Sequence, residues 1–316
     1  MAIDEQTRQV LDFIAKMNPF GEELSIAALR EMERRRPPVK PAPERALLEG
    51  VRDDTIDADG RRIPIRIYSP RPTDCFGELP PLILYFHGGG HTTGTIPDWD
   101  GVCSLLASES GMPVVSVDYR RAPENKFPAA PEDCYAALLW AADRAGSIGA
   151  DPSRIVVAGD SAGGNLAAVV SLMARDRRGP RISFQVLLYP GTNGREESAS
   201  ALRNGEGYLL TRKMMDFFTA QYLRSDADRT NPYFAPMKAP DHSGLPPAMV
   251  ITAEYDPLLD EGEGYASKLR DAGVPVEYHM VESTIHGFVT FYQTIDSGRK
   301  MLTQIAQTLR RHFQTE

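Results

Sequence analysis

Short apolar runs alternate with helical patterns along most of this chain, and this alternation constrains the fold more than any other feature. The apolar runs are LILYF (82–86), VVSVDY (114–119), RIVVAG (154–159), FQVLLYP (184–190), AMVITAEYD (248–256) and the predicted strand 276–282. The helical patterns cover 98–110, 130–145, 162–176, 259–272 and 296–313. Strands that alternate with helices in this way predict an α/β fold with a mostly parallel sheet covered on both faces.

Two segments lie outside the alternation. Residues 1–45 carry amphipathic helical patterns and end in a proline-rich connector, and an alternating strand follows at 63–68. Residues 191–235 separate two strands and contain an amphipathic helix near 212–223. We expect 1–45 and 191–235 to form a helical cap over one catalytic domain. That domain is expected to comprise 46–190 and 236–316.

Composition excludes several classes of function. The 316 residues include 35 Lys and Arg against 43 Asp and Glu, a net charge of −8, which argues against nucleic-acid binding. The three cysteines are scattered without metal-site or disulfide-framework spacing. The N-terminal stretch lacks the charged head and apolar run of a signal peptide, and no apolar run is long enough to cross a bilayer. We expect a cytoplasmic protein with no membrane insertion.

A candidate nucleophile lies in Gly159-Asp160-Ser161-Ala162-Gly163, which matches G-x-S-x-G. An apolar strand precedes the motif and an amphipathic helix follows it, which is the context of a nucleophile elbow. The small residues allow a tight turn and leave room for a substrate beside Ser161. The motif alone leaves open a helix-capping serine packed among glycines. A phosphate-binding loop is disfavoured because no Gly-Lys-[Ser/Thr] follows.

A glycine-rich loop, HGGG at 87–90, follows the strand LILYF. Backbone N–H groups in such a loop can converge on an oxygen, as the oxyanion of an acyl-transfer reaction requires. We expect the N–H groups of Gly88 and Gly89, together with that of Ala162, to form this oxyanion hole. A flexible loop without a role is the alternative that the residues leave open.

Two histidines flank the three glycines, and a metal held by both is one interpretation. Their i, i+4 spacing would bring His87 and His91 together only on a helix, which three glycines disfavour. We therefore predict no metal site. We expect His87 to anchor the loop through hydrogen bonds instead of transferring protons.

An acid and a base follow later strands. Asp256 comes directly after AMVITAEY, and His286 comes directly after the last predicted strand. Either residue could be structural, the aspartate as a helix cap and the histidine as a solvated loop residue. The order Ser161, Asp256, His286 is nevertheless the nucleophile–acid–base order of α/β-hydrolases. Asp260 and Glu261, a turn further on, are weaker candidates for the acid.

Taken together, these motifs resemble the hormone-sensitive-lipase-like branch of α/β-hydrolase esterases, also called bacterial family IV. The resemblance is carried by HGGG (87–90), VDYRRAPENKFPAAPEDCYAAL (117–138), GDSAGGN (159–165), DPLLDEG (256–262) and HGF (286–288). It implies an α/β-hydrolase fold with a helical cap, and a carboxylic-ester hydrolase that prefers short to medium acyl chains and needs no cofactor. It also implies a small-molecule ester substrate, and a homodimer formed through the last strand and helix.

Two positions depart from the family pattern. His91 stands where an aromatic or bulky apolar residue often follows HGGG, and Leu259 stands where arginine is frequent. Phe20 is expected to help shape the pocket from the cap. The residues expected to contact the substrate are His91, Tyr208, Leu209 and Ile285.

The predicted reaction is ester hydrolysis through an acyl-enzyme. An amidase or deacetylase is the first alternative, because the same groups cleave an amide when the leaving nitrogen can be protonated. A ligand-binding receptor on the same fold is a second alternative. Such a protein can lose one of the three reactive residues, whereas this chain has Ser161, Asp256 and His286 at the expected places. A lipase for long-chain lipids is disfavoured because no segment has the sequence pattern of a membrane-docking surface.

Overall fold

One twisted sheet organises the protein, a computed structural model of which describes residues 3–17, 24–35, 37–194 and 197–314. Within those ranges the sheet has eight strands in the order β1-β2-β4-β3-β5-β6-β7-β8. The strands are β1 (Leu48–Ala58), β2 (Arg61–Pro70), β3 (Leu82–Phe86), β4 (Val114–Val117), β5 (Ile155–Asp160), β6 (Phe184–Leu188), β7 (Ala248–Tyr255) and β8 (Val276–Ile285). Strand β2 pairs antiparallel with β1 and β4, and the other neighbours are parallel. The predicted α/β class with a mostly parallel sheet is confirmed.

Helices connect the strands and cover the sheet. In the described part of the chain they are α1 (Glu5–Met17), α2 (Ile26–Arg35), α3 (Asp100–Ser110), α4 (Ala129–Arg144), α5 (Ala162–Asp176), α6 (Ala199–Asn204), α7 (Arg212–Tyr222), α8 (Leu259–Asp271) and α9 (Asp296–Gln314). The five helical patterns of the alternation correspond to α3, α4, α5, α8 and α9, with ends that agree to within two residues. Residues 191–235, called the insertion below, lie between β6 and β7 and contain α6 and α7.

Strand β1 was not predicted, and it forms a hairpin with β2. Its sequence, LEGVRDDTIDA, is mostly polar because much of the strand is exposed to solvent. The turn residues Asp59 (φ 49°) and Gly60 (φ 76°) both have positive φ, as a two-residue type I′ turn requires. The Asp59-Gly60 pair before the alternating strand was therefore the sequence signal that could have predicted this hairpin.

Each central strand contributes side chains to both faces of the sheet. In β3, Leu84 and Phe86 pack with residues of α4, α5 and α8, whereas Ile83 and Tyr85 pack on the opposite face with α3 and α9. All four side chains are fully buried. Burial of each contributes on the order of 1.5–3 kcal/mol. A strand buried on both faces must be continuously apolar, which explains the run LILYF.

The parallel strands end at one edge of the sheet, and this edge positions the candidate site. Ser161 follows β5, Asp256 follows β7, and His286 follows β8. The glycine loop 87–90 follows β3. Ligands of open α/β sheets bind beyond these carboxyl ends.

Candidate active site

Ser161 occupies a sharp turn between β5 and α5. Its backbone has φ 56° and ψ −118°, a strained combination for a residue with a side chain. The Ser161 N–H donates to the carbonyl oxygen of Leu188 at 2.8 Å, which ties the turn to β6. A Cβ atom on Gly163 would lie 1.9 Å from the carbonyl oxygen of Phe86. Glycine at 163 is therefore what lets α5 start so close to β3.

A chain of two hydrogen bonds links the three predicted reactive side chains. Nε2 of His286 lies 2.8 Å from Oγ of Ser161, and Nδ1 of His286 lies 2.7 Å from Oδ2 of Asp256. Because a carboxylate only accepts, Nδ1 carries the proton and Nε2 is left to accept from the serine hydroxyl. Asp256 is fully buried, and its Oδ1 accepts from the N–H of Leu258 at 2.8 Å. The structure thus brings Ser161, Asp256 and His286 together.

The glycine loop lies differently from our expectation for Gly88. Gly88 is buried, and its N–H donates to Oδ1 of Asp160 at 3.1 Å. This bond argues against the predicted role of Gly88 as an oxyanion donor, because its proton already serves a buried carboxylate. Gly89 and Gly90 line the pocket. Ala162 opens α5, where the first N–H groups have no partner within the helix.

Asp160, the second residue of the G-x-S-x-G motif, is a site residue that the sequence reasoning missed. The same Oδ1 that holds Gly88 accepts from the hydroxyl of Tyr85 at 2.8 Å. Burial raises the pKa of Asp160 to about 6. Burial also raises the pKa of Tyr85 well above its ordinary value, so the phenol keeps its proton and donates. Asp160 therefore connects the turn of Ser161 to the glycine loop.

His87 anchors the base of the loop, as predicted. Its ring stacks on Tyr119 with 4.4 Å between the ring centroids, and Trp99 lies at 5.1 Å. Nδ1 donates to the carbonyl oxygen of Gly88 at 2.8 Å. Burial lowers the pKa of His87 to about 4, so the ring is neutral at pH 7.

A pocket of about 180 Å³ opens over Ser161 and His286. Its outer wall is apolar and comes mostly from the insertion, through Leu209, Leu210, Met214, Met215 and Phe218. Of the four residues expected to contact the substrate, Leu209 lies in this wall. The insertion therefore decides much of the space available to a substrate beside the serine.

The other three expected contacts lie outside the residues that line this pocket. His91 is buried and stacks on Tyr222, with ring centroids 4.0 Å apart and planes 3° from parallel. The ring of His91 therefore packs as an aromatic side chain at this position. Tyr208 packs near Tyr255, with centroids 5.1 Å apart, and Ile285 is fully buried in the sheet core.

Two further positions were singled out in the sequence. Leu259 is the first residue of α8 and is half-buried. Phe20, expected to shape the pocket, lies outside the described residues.

Comparison with known proteins identifies the family. The model of the alpha/beta hydrolase fold family matches residues 83–290, about two thirds of the chain. This chain belongs to the α/β-hydrolase family. "Carboxylic ester hydrolase LipN" of Mycobacterium tuberculosis is 42% identical to this α/β-hydrolase over 269 residues, which cover 83% of this chain and 70% of LipN.

Solved structures agree with this assignment. The hyperthermophilic esterase from the archaeon Pyrobaculum calidifontis superposes with a TM-score of 0.89 at 41% identity, covering 98% of this chain and 99% of that one. A serine-to-alanine mutant of LAE6, an alpha/beta hydrolase enzyme from the metagenome of Lake Arreo, gives a TM-score of 0.88 at 35% identity, covering 98% of each chain. The resemblance to the hormone-sensitive-lipase-like branch is confirmed, and this α/β-hydrolase is a serine carboxylesterase.

In the described part of the chain no helix is both long and apolar enough to span a membrane. Nor do the described residues place three or more His, Cys, Asp or Glu side chains where they could share a metal ion.

Proposed function

We propose that Ser161, His286 and Asp256 are the catalytic triad of this esterase. The observation that carries the proposal is the pair of hydrogen bonds, 2.8 and 2.7 Å long, that joins the serine hydroxyl through the imidazole to a buried carboxylate. This arrangement supplies a nucleophile, a base within reach of its proton, and an acid that orients the base.

The geometry supports a two-step hydrolysis. Oγ of Ser161 attacks the ester carbonyl while Nε2 of His286 takes its proton, and Asp256 stabilises the imidazolium. The carbon–alkoxide bond of the tetrahedral intermediate then breaks as His286 protonates the departing alcohol. Water, deprotonated by His286, repeats the sequence on the acyl-enzyme. The acid is released and the serine is restored.

We propose Gly89, Gly90 and Ala162 as the oxyanion donors, in place of the predicted set that included Gly88. Gly89 and Gly90 are partly exposed and line the pocket, while Ala162 N–H lies at the start of α5. Fixed donors of this kind are worth about 2.7–4 kcal/mol each in the transition state. The helix dipole of α5 favours the same negative charge.

A short- to medium-chain carboxylic ester is the substrate class that the pocket supports. Its volume of about 180 Å³ is below the range of about 300–1,000 Å³ that is typical for drug-sized ligands. The apolar side chains of Leu209, Met214 and Phe218 suit an alkyl chain better than a polar group.

The triad is tested by assaying Ser161→Ala and His286→Ala on p-nitrophenyl acetate. We expect kcat to fall at least 1,000-fold in each, since residues of a triad act as a unit. Activity within a few-fold of the unmodified enzyme in either variant would refute the assignment. A series of p-nitrophenyl esters of increasing acyl length tests the substrate class, and an aryl amide in the same series tests the amidase alternative.

We propose that residues 1–45 and the insertion together form the cap of the active site. The insertion supplies the apolar wall described above. Arg30 of α2 donates through Nη1 to the carbonyl oxygen of Thr92 and through Nη2 to that of Ala122, each at 2.8 Å. These bonds hold the N-terminal segment beside the loops that follow β3 and β4. Deleting residues 1–45 is expected to change KM and acyl-length preference.

We further propose a homodimer formed through β8 and α9. Strand β8 is at the end of the sheet, most of its residues are only partly buried, and Met280 on it is 40% exposed. An edge strand presents unpaired backbone groups that a second copy can pair with. Light scattering after size exclusion is expected to give twice the monomer mass, and Met280→Lys to shift the protein towards monomer.

A cytoplasmic location is also proposed, on the basis of cysteine usage. Cys75, Cys103 and Cys134 carry thiols rather than disulfides, and Cys103 and Cys134 are buried. Reduced cysteines are typical of a reducing compartment. Cell fractionation is the test, and recovery of the enzyme outside the cytoplasm would refute the proposal.

A further inference from the structure

Helix α6 of the insertion lies against the segment that carries Asp256. The side-chain amide of Asn204, the last residue of α6, donates to the carbonyl oxygen of Glu254 at 3.0 Å and to that of Asp256 at 3.2 Å. Asn204 is only 2% exposed, so water does not compete for these bonds. A residue 52 positions away in the chain therefore holds the backbone on both sides of Tyr255.

The backbone needs these bonds because the sheet pairing is irregular at this point. The register between β7 and β8 shifts between Ala253 and Tyr255, which is the mark of a bulge. Buried carbonyl groups at such a place need donors from elsewhere. A primary amide carries two N–H groups on one nitrogen and can serve two carbonyl groups at once. Asn204 thereby fixes the direction in which the chain leaves β7.

A second residue of α6 holds the other side of Asp256. The hydroxyl of Ser200 donates to the carbonyl oxygen of Pro257 at 2.8 Å and accepts from the N–H of Asp260 at 3.1 Å. The N–H of Ser200 donates to Oδ2 of Asp260 at 2.8 Å. Ser200 is fully buried. Asn204 and Ser200 thus bracket Asp256 in the chain.

Apolar contacts join the same elements to the pocket wall. Ala201 of α6, Met215 of α7 and Leu258 form a small buried cluster, with Leu210 packed against it. Met215 and Leu210 line the pocket, and Leu258 donates its N–H to Oδ1 of Asp256 at 2.8 Å. The substrate-binding wall and the carboxylate therefore share their immediate neighbours.

We propose that Asn204 is a positioning residue for the reaction, which holds the segment 254–256 so that the carboxylate of Asp256 stays on Nδ1 of His286. The proposal rests on the catalytic roles proposed above for Asp256 and His286. It assigns to the insertion a part in the chemistry as well as in substrate binding.

A positioning role predicts a change in kcat without a matching change in KM. Without the amide of Asn204 the carboxylate shifts and stabilises the imidazolium less, while the pocket residues that bind a small ester stay in place. Displacements of about 1 Å in such sites can cost about 100-fold in rate. We expect Asn204→Ala to lower kcat on p-nitrophenyl acetate by about 10- to 100-fold and to change KM less than twofold.

The test is a double-mutant cycle with Asp256→Asn, measured on the full-length enzyme. If Asn204 acts through Asp256, Asn204→Ala in the Asp256→Asn background lowers kcat by less than twofold further. Loss of the same factor in both backgrounds, or an unchanged kcat in Asn204→Ala, overturns the proposal. An Asp256→Asn variant with the kcat of the unmodified enzyme overturns the triad itself, and this proposal with it.

Two further variants separate positioning from folding. Leu202 lies on α6 and is 56% exposed. Leu202→Gly weakens the same helix because glycine has a low helix propensity, and it is expected to keep kcat within twofold. Asn204→Asp keeps the shape of the side chain but turns oxygens towards the two carbonyl groups. It is expected to show the same non-additive loss, and it serves as the test if circular dichroism shows that Asn204→Ala is unfolded.

Discussion

Replacing Asp160 by asparagine removes a buried charge beside the nucleophile and keeps the shape of the side chain. The carboxylate is 2% exposed and accepts from Tyr85 and Gly88 through one oxygen. The amide oxygen of asparagine can accept the same two hydrogen bonds. Asp160→Asn therefore removes the charge and keeps these two contacts.

The size of that cost follows from the pKa of Asp160, which burial raises from 3.8 to about 6. At about 1.4 kcal/mol per pKa unit, ionised Asp160 destabilises the native state by about 3 kcal/mol at pH 8. Because the native state holds the proton more tightly than the unfolded state, the stabilising contribution is complete below pH 3.8 and is lost as pH rises through about 6. Between pH 5 and pH 8 the destabilisation grows by about 1 kcal/mol.

The assay is urea unfolding of the unmodified enzyme and Asp160→Asn at pH 5 and pH 8. We expect the free energy of unfolding of Asp160→Asn to exceed that of the unmodified enzyme by about 1 kcal/mol more at pH 8 than at pH 5. Tyr85→Phe removes a donor to the carboxylate and is expected to enlarge the pH-dependent loss of stability. An identical difference between the two proteins at both pH values would refute the reasoning.

Three further predictions concern packing around the site. In Gly90→Ala the new Cβ would lie 2.5 Å from Cγ of Phe218. We expect kcat to fall by up to about 100-fold. Adding Phe218→Ala removes the clash and should restore part of the lost kcat. Gly163→Ala places its Cβ 1.9 Å from the carbonyl oxygen of Phe86, so we expect the free energy of unfolding in urea to fall by about 1–3 kcal/mol. Gly146→Ala is the control: nothing lies within 4 Å of its Cβ, and its free energy of unfolding should be close to that of the unmodified enzyme. Arg30→Ala removes the bonds from α2 to the carbonyl groups of Thr92 and Ala122, and limited proteolysis should then cleave the N-terminal segment faster; an unchanged rate would argue against the anchoring role.

Much of the fold could be predicted from the sequence because its central part follows local periodicity. The apolar runs that became β3 and β5 must be buried on both faces, and helix α5 has the predicted bounds. Strand β1 was missed because an exposed edge hairpin needs few apolar residues, and only its Asp-Gly turn indicated it. Periodicity reports how a segment is buried, so it says little about segments that are half-exposed.

The candidate site was predictable to the extent that its residues follow strand ends. Ser161, Asp256 and His286 each come directly after a strand, so their meeting follows from the parallel arrangement of β5, β7 and β8. The role of Gly88 was not predictable. Which of three consecutive N–H groups faces the pocket depends on the Asp160 carboxylate that holds Gly88.

The sequence by itself determined the class of fold and the order in which the three side chains of the proposed triad follow their strands, because these are properties of local patterns and of chain direction. Only the tertiary structure decided the bond from Gly88 to Asp160, the stack of His91 on Tyr222, and the hold of Asn204 on the backbone at Asp256. Each of these joins residues that are far apart in the chain. Their distances are set by how the insertion and the loops pack on the sheet, which no local pattern encodes.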